Sequence, residues 1–118
     1  MGYRIDYTVT GNVLLATLSG SCPTPGVIAR DLGRQTRATA ARHLIVDMRA
    51  LKDRYGRLRD LFADKDVPPR IAVLDSYRNE RLYVFAEIDA RNRGCVLRRF
   101  DDQDAAMDWL LGIPSPQR

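Results

Sequence analysis

The run Leu44-Ile45-Val46, apolar on successive residues and stopped by Asp47, constrains this chain more than any other stretch. A strand with one wet face alternates apolar and polar residues, whereas an unbroken apolar run fits a strand covered on both faces. Such a strand belongs in the middle of an α/β sheet. Ligands and partners of open α/β sheets bind beyond the carboxyl ends of the strands. The stretch from His43 to Leu51 is therefore the expected centre of the fold, and Asp47 onward reads as a polar turn at the end where a site would lie.

Tyr3, Ile5, Tyr7 and Val9 alternate with polar residues, Thr10-Gly11-Asn12 makes a turn, and Val13 to Leu18 completes an antiparallel hairpin. Thr24-Pro25 offers a cap and a first-turn proline for a helix over 25–42, with Ile28, Leu32, Thr36 and Thr39 on its inner stripe and Val27 beside it. The third strand is Leu44–Asp47. Leu58, Leu61 and Phe62 mark a short helix over 54–63, and residues 64–66 a charged loop. Arg70–Leu74 is the fourth strand. The spacing of Leu82, Phe85, Ala86 and Asp89 predicts a helix over 79–91, ended by Asn92-Arg93-Gly94. Cys95–Phe100 is an edge strand interrupted by Arg98 and Arg99, and Asp101 or Asp102 caps a last helix with Ala105, Ala106, Trp109 and Leu110 inward. The order β-β-α-β-α-β-α-β-α, joined by right-handed crossovers, gives a single α/β domain over 1–113 with a mixed, mostly parallel five-stranded sheet and a frayed tail at 114–118.

Composition narrows the function classes. The net charge is +4, from 17 Arg and 2 Lys against 15 acidic residues. Arg30, Arg34 and Arg37 line one side of the first helix, but Asp31 adjoins them and no nucleic-acid motif accompanies them, so nucleic acid is not the expected partner. No stretch is long and apolar enough to span a bilayer, and the first residues lack the apolar core of a secretion signal, so a cytoplasmic location is expected. Cys22 and Cys95 belong to no metal-ligand cluster and read as buried thiols. His43, the one histidine, has no recognisable nucleophile or orienting carboxylate beside it. Asp101, Asp102 and Asp104 suit a helix start better than a metal site. No cofactor and no enzymatic activity are expected.

The element order, with Gly20 after the second strand, Leu44-Ile45-Val46-Asp47-Met48-Arg49, and the closing Phe100-Asp101-Asp102-Gln103-Asp104-Ala105-Ala106-Met107-Asp108-Trp109-Leu110, resembles the STAS superfamily. More narrowly it is similar to the bacterial SpoIIAA-like branch, whose members often end in a strand closing on Phe, acidic residues, then Ala and Trp-Leu. The final segment reads as a capped helix that plugs the core with its Trp. In members that antagonise anti-sigma factors, a Ser at the start of the helix after the third strand is phosphorylated, adding roughly two negative charges there. The matching stretch here, Asp47 to Gly56, holds no Ser or Thr, and none occurs from Ala40 through Asp75. Arg54 lies close to where the switch hydroxyl would be. The resemblance thus implies the fold without the serine switch.

Two candidate sites follow. Asp47, Arg49, Lys52, Asp53, Arg54 and Arg57 cluster after the central strand, either as a protein- or anion-docking patch at a helix head or as solvated charges around a capped turn. Tyr77, Tyr83 and Phe85 could line an apolar pocket, since SpoIIAA-like domains resemble lipid-binding Sec14 domains in architecture; aromatics at this density also serve as core. The leading expectation is a non-enzymatic regulatory or adaptor domain that binds a protein partner, a second copy of the chain included, through the region after the third strand. The alternative is a lipid or other small apolar ligand.

Overall fold

The computed structural model describes residues 2–21, 25–52 and 66–113. The expected helix over 54–63, Cys22 and the tail at 114–118 lie outside these residues. Five strands form one sheet in sequential order, β1 (Tyr3–Thr10), β2 (Val13–Gly20), β3 (His43–Leu51), β4 (Arg70–Leu74) and β5 (Val96–Phe100). β1 and β2 are antiparallel, with Tyr3 opposite Gly20 and Thr10 opposite Val13; the other neighbours are parallel. Gly11 makes the two-residue turn possible at φ +62°, a backbone state that a side chain disfavours.

β3 is the middle strand, as its apolar run required. Leu44, Ile45 and Val46 are fully buried, and burying each such side chain contributes about 1.5–3 kcal/mol. Val46 joins Leu14, Leu18, Ile71 and Val73 on one face of the sheet, beneath α1 (Pro25–Thr39) and α2 (Glu80–Asn92). Ile45 joins Val13, Ala72 and Leu74 on the other face, beneath α3 (Gln103–Leu111). Ile28, Leu32 and Thr36 are buried on α1 as the stripe predicted, and the Thr36 hydroxyl donates to the Leu32 carbonyl at 2.8 Å.

Three expectations change. α1 ends at Thr39 rather than Arg42, because Ala40 turns left-handed at φ 55° and Ala41 N–H donates back to the Thr36 carbonyl. No Gly or Asn marks that stop. Ala40 is exposed and carries the strain a glycine would avoid, so Ala40→Gly is expected to raise the unfolding free energy by about 1 kcal/mol, read by urea denaturation. β3 continues through Leu51 rather than ending in a turn at Asp47. α2 buries Tyr83, Ala86 and Ala90, while Leu82 and Phe85, expected inside with Ala86, are exposed.

Trp109 also departs from its expected role. It is half-buried rather than plugged into the core, where Ala106 and Leu110 are the buried residues of α3. Its ring lies 5.4 Å from that of Phe100 and carries the Arg70 guanidinium over it at 4.4 Å. Arg70 also donates to the Trp109 carbonyl at 2.8 Å, so one side chain clamps both parts of the residue. Asp102 is the cap of α3, accepting from Ala105 N–H at 2.8 Å.

Candidate functional site

The carboxyl end of β3 carries the first candidate site. Among the described residues, β3 pairs with β4 as far as Asp47 and Leu74, and its later residues, Ala50 and Leu51, pair with Ser19 and Gly20 of β2. Between the pairs Thr17–Asp47 and Ser19–Ala50 the register shifts: β2 advances two residues while β3 advances three. The extra residue is a bulge in β3, and it leaves Arg49 and Ala50 exposed in succession where strict alternation would bury one.

The bulge explains Asp47. Its Oδ1 accepts from the Arg49 backbone N–H at 3.1 Å and from Arg49 Nε at 2.9 Å, and its Oδ2 accepts from an Arg49 terminal nitrogen at 2.8 Å. The carboxylate therefore satisfies a backbone group freed by the bulge and grips the guanidinium with both oxygens. Burial pushes the Asp47 carboxyl up, but these hydrogen bonds and the Arg49 charge hold it below its ordinary value. The same hydrogen bonds raise Arg49 above its own, with the Asp102 charge at the start of α3 adding to the effect. Arg49 is half exposed in this grip. Lys52 follows, exposed, with its N–H on the Gly20 carbonyl at 2.8 Å. Asp53, Arg54 and Arg57 lie outside the described residues.

The aromatic trio does not come together. Tyr83 is buried on the inner face of α2, whereas Tyr77 and Phe85 are exposed at 64% and 75%. Tyr83 instead belongs to a polar knot that the sequence did not reveal. At the end of β4, Asp75 is 1% exposed, and it accepts from the Tyr83 hydroxyl at 2.6 Å, Ser76 N–H at 2.8 Å and Asn79 Nδ2 at 3.1 Å. The Asp75 carbonyl accepts from Arg99 at 2.9 Å, and the same Arg99 nitrogen reaches Asp101 at 2.8 Å. An Asp at a strand's carboxyl end was the available signal, but its side-chain partners Asn79 and Tyr83 sit four and eight residues on.

His43 begins β3, at the opposite end of the strand from Arg49. Burial, then the charges of Arg70 and Arg42, lower its basicity, and its Nδ1 is buried with no hydrogen-bond partner among the described residues. Glu87, on α2, is shifted the other way: burial raises its carboxyl although Arg98, Arg91 and Arg99 oppose the shift. Tyr7 is held protonated by burial and by its 2.6 Å hydrogen bond to Asp31. Among the described residues no group of His, Cys, Asp and Glu is arranged to hold a metal ion, and no helix is long and apolar enough to cross a membrane. Cys95 is a half-buried free thiol.

Solved structures share this architecture from end to end. An anti-sigma factor antagonist from Mycobacterium paratuberculosis superposes with a TM-score of 0.59 at 13% identity, over 93% of this chain and 95% of its own. The fold is SpoIIAA-like. The anti-sigma factor antagonist SpoIIAA in its unphosphorylated form matches 95% of this chain and 100% of its own, with a TM-score of 0.54 and 18% identity. An uncharacterised protein of the DUF3478 family from Shewanella loihica, itself described as SpoIIAA-like, gives 0.54 at 16% identity over 92% of this chain and 93% of its own. No family model and no curated protein matches the sequence. The SpoIIAA-like fold expected from the element order is thus the observed one, with β1 antiparallel and β2 to β5 parallel.

Proposed function

We propose that this chain is a non-enzymatic regulatory or adaptor domain that binds a protein partner through the carboxyl end of β3 and the residues after it. The observation that carries the reading is the Asp47–Arg49 fork. A half-exposed guanidinium is held in a fixed direction near the carboxyl end of the central strand. A pre-positioned cation of this kind loses little conformational freedom when it meets a partner's carboxylate. The SpoIIAA-like fold supports the reading, since two of the structures that share it are anti-sigma factor antagonists. The stretch from Ala40 through Asp75 carries fixed charge and no Ser or Thr, and Tyr55 is its one hydroxyl between Asp47 and Gly56. Its binding is then set by fixed charge and weakened by salt.

Affinity purification from the source cells with the wild-type chain as bait tests the proposal. Arg49→Glu combined with Arg54→Glu is expected to lower recovery of the specific partner about tenfold or more, as loss of a central arginine contact does. Lys52→Glu, which leaves the fork intact, is expected to weaken binding less and mainly at low salt. Unchanged recovery with both folded variants would remove this surface from the function.

A further inference from the structure

The sheet ends at β1, and the hydrogen bonding of its hairpin fixes which residues face the open side. Ser21 N–H donates to the Gly2 carbonyl at 3.2 Å, and the two-residue turn closes on the pair Thr10–Val13. Hydrogen-bonded pairs in an antiparallel ladder fall on every second residue. Gly2, Arg4, Asp6, Thr8 and Thr10 therefore direct their backbone groups to β2. Tyr3, Ile5 and Tyr7 direct theirs outward, while their side chains lie half-buried against the core beneath α1. A row of this kind, unpaired among the described residues, is a template for another strand.

We propose that β1 is the seam of a two-fold homodimer, with a second copy of the chain pairing antiparallel about Ile5. Closed symmetry and antiparallel pairing require outward-facing residues to oppose outward-facing residues, which limits the two-fold to a few centres. A centre at Arg4 sets that arginine against itself, and a centre at Asp6 sets two carboxylates together. A centre at Tyr7 pairs neither charge with an opposite one. The centre at Ile5 places Arg4 opposite Asp6 of the second copy and Asp6 opposite its Arg4, with Tyr3 opposite Tyr7 on the other face. Opposite-charge and aromatic pairs across strands are each favourable, and like charges are not. Within one chain Arg4 Nε already meets Asp6 Oδ1 at 3.0 Å, with both side chains more than half exposed, so the dimer joins two such pairs into a cluster of alternating sign. The other sheet edge lacks this self-complementarity, since β5 carries Arg98 and Arg99 in succession.

Sedimentation equilibrium over a wide concentration range tests the seam without any other partner, so its outcome is separate from that of the β3 surface. The wild type is expected to form dimers that weaken with salt. Arg4→Asp and Asp6→Arg are each expected to weaken dimerisation about tenfold or more, because the symmetry turns two attractive pairs into two repulsive ones. Arg4→Asp combined with Asp6→Arg is expected to restore it. Both positions are exposed, and unchanged melting of the dilute variants verifies their fold. A wild type that stays monomeric, single variants that dimerise as well as wild type, or a double variant that fails to recover would each overturn the proposal.

Discussion

Asp75→Ala is expected to lower the unfolding free energy by about 3 kcal/mol or more, read from urea melts, the scale for removing an acceptor from buried hydrogen-bonding partners. Among the described residues, the Tyr83 hydroxyl, the Ser76 N–H and the Asn79 amide each lose this acceptor. The Tyr83 hydroxyl suffers most, because Tyr83 is 1% exposed and the replacement removes the carboxylate from a buried donor. Tyr83→Phe removes the donor with its acceptor still served by Ser76 and Asn79, and is expected to cost about 1–2 kcal/mol. The double variant should cost clearly less than the two singles together, since both singles remove the same Tyr83–Asp75 hydrogen bond. Strict additivity would mean that the 2.6 Å contact contributes nothing to stability.

Gly20→Ala is the second large effect, at about 2–4 kcal/mol. Gly20 has φ +87°, where a side chain costs roughly 1–2 kcal/mol, and an added Cβ would stand 2.5 Å from the Gly2 carbonyl oxygen. That neighbour is backbone and cannot rotate away. The Gly20 carbonyl also receives the Lys52 N–H at 2.8 Å, so a shift to relieve the clash would pull on the end of β3. Gly94→Ala supplies the control. Its φ is +85°, but an added Cβ meets nothing within 4 Å, so only the backbone strain is lost there. Equal costs at the two positions would show that β1 yields freely beneath Gly20.

The sheet was legible in the sequence because its signals are local. Alternation marked β1, Gly11 marked the hairpin, and the unbroken Leu44-Ile45-Val46 run marked the centre. The later part of β3 was not legible, because a bulge breaks the alternation and makes Met48 to Leu51 read as a turn. The end of α1 was hidden for a similar reason, since Ala40 adopts a left-handed state without the residue types that advertise it. On α2 the larger apolar residues drew the eye, yet the sheet accepts Ala86 and Ala90, and Tyr83 enters because Asp75 is waiting for its hydroxyl.

The candidate site was legible as charge and not as geometry. Asp47, Arg49 and Lys52 could be placed after the central apolar run, but not that one carboxylate would lock one guanidinium across a bulge. The aromatic trio shows the converse. Tyr77, Tyr83 and Phe85 are close in sequence, but a 3₁₀ turn at Tyr77–Asn79 and the rotation of α2 send them in different directions.

The chain holds one tryptophan, and its ring sits under the Arg70 clamp at the junction of α3 with β4. Intrinsic fluorescence in this protein is therefore a local gauge. It reports whether the last helix is seated on the sheet, and a change in emission that precedes the loss of far-ultraviolet circular dichroism would mark release of α3 from an otherwise intact domain.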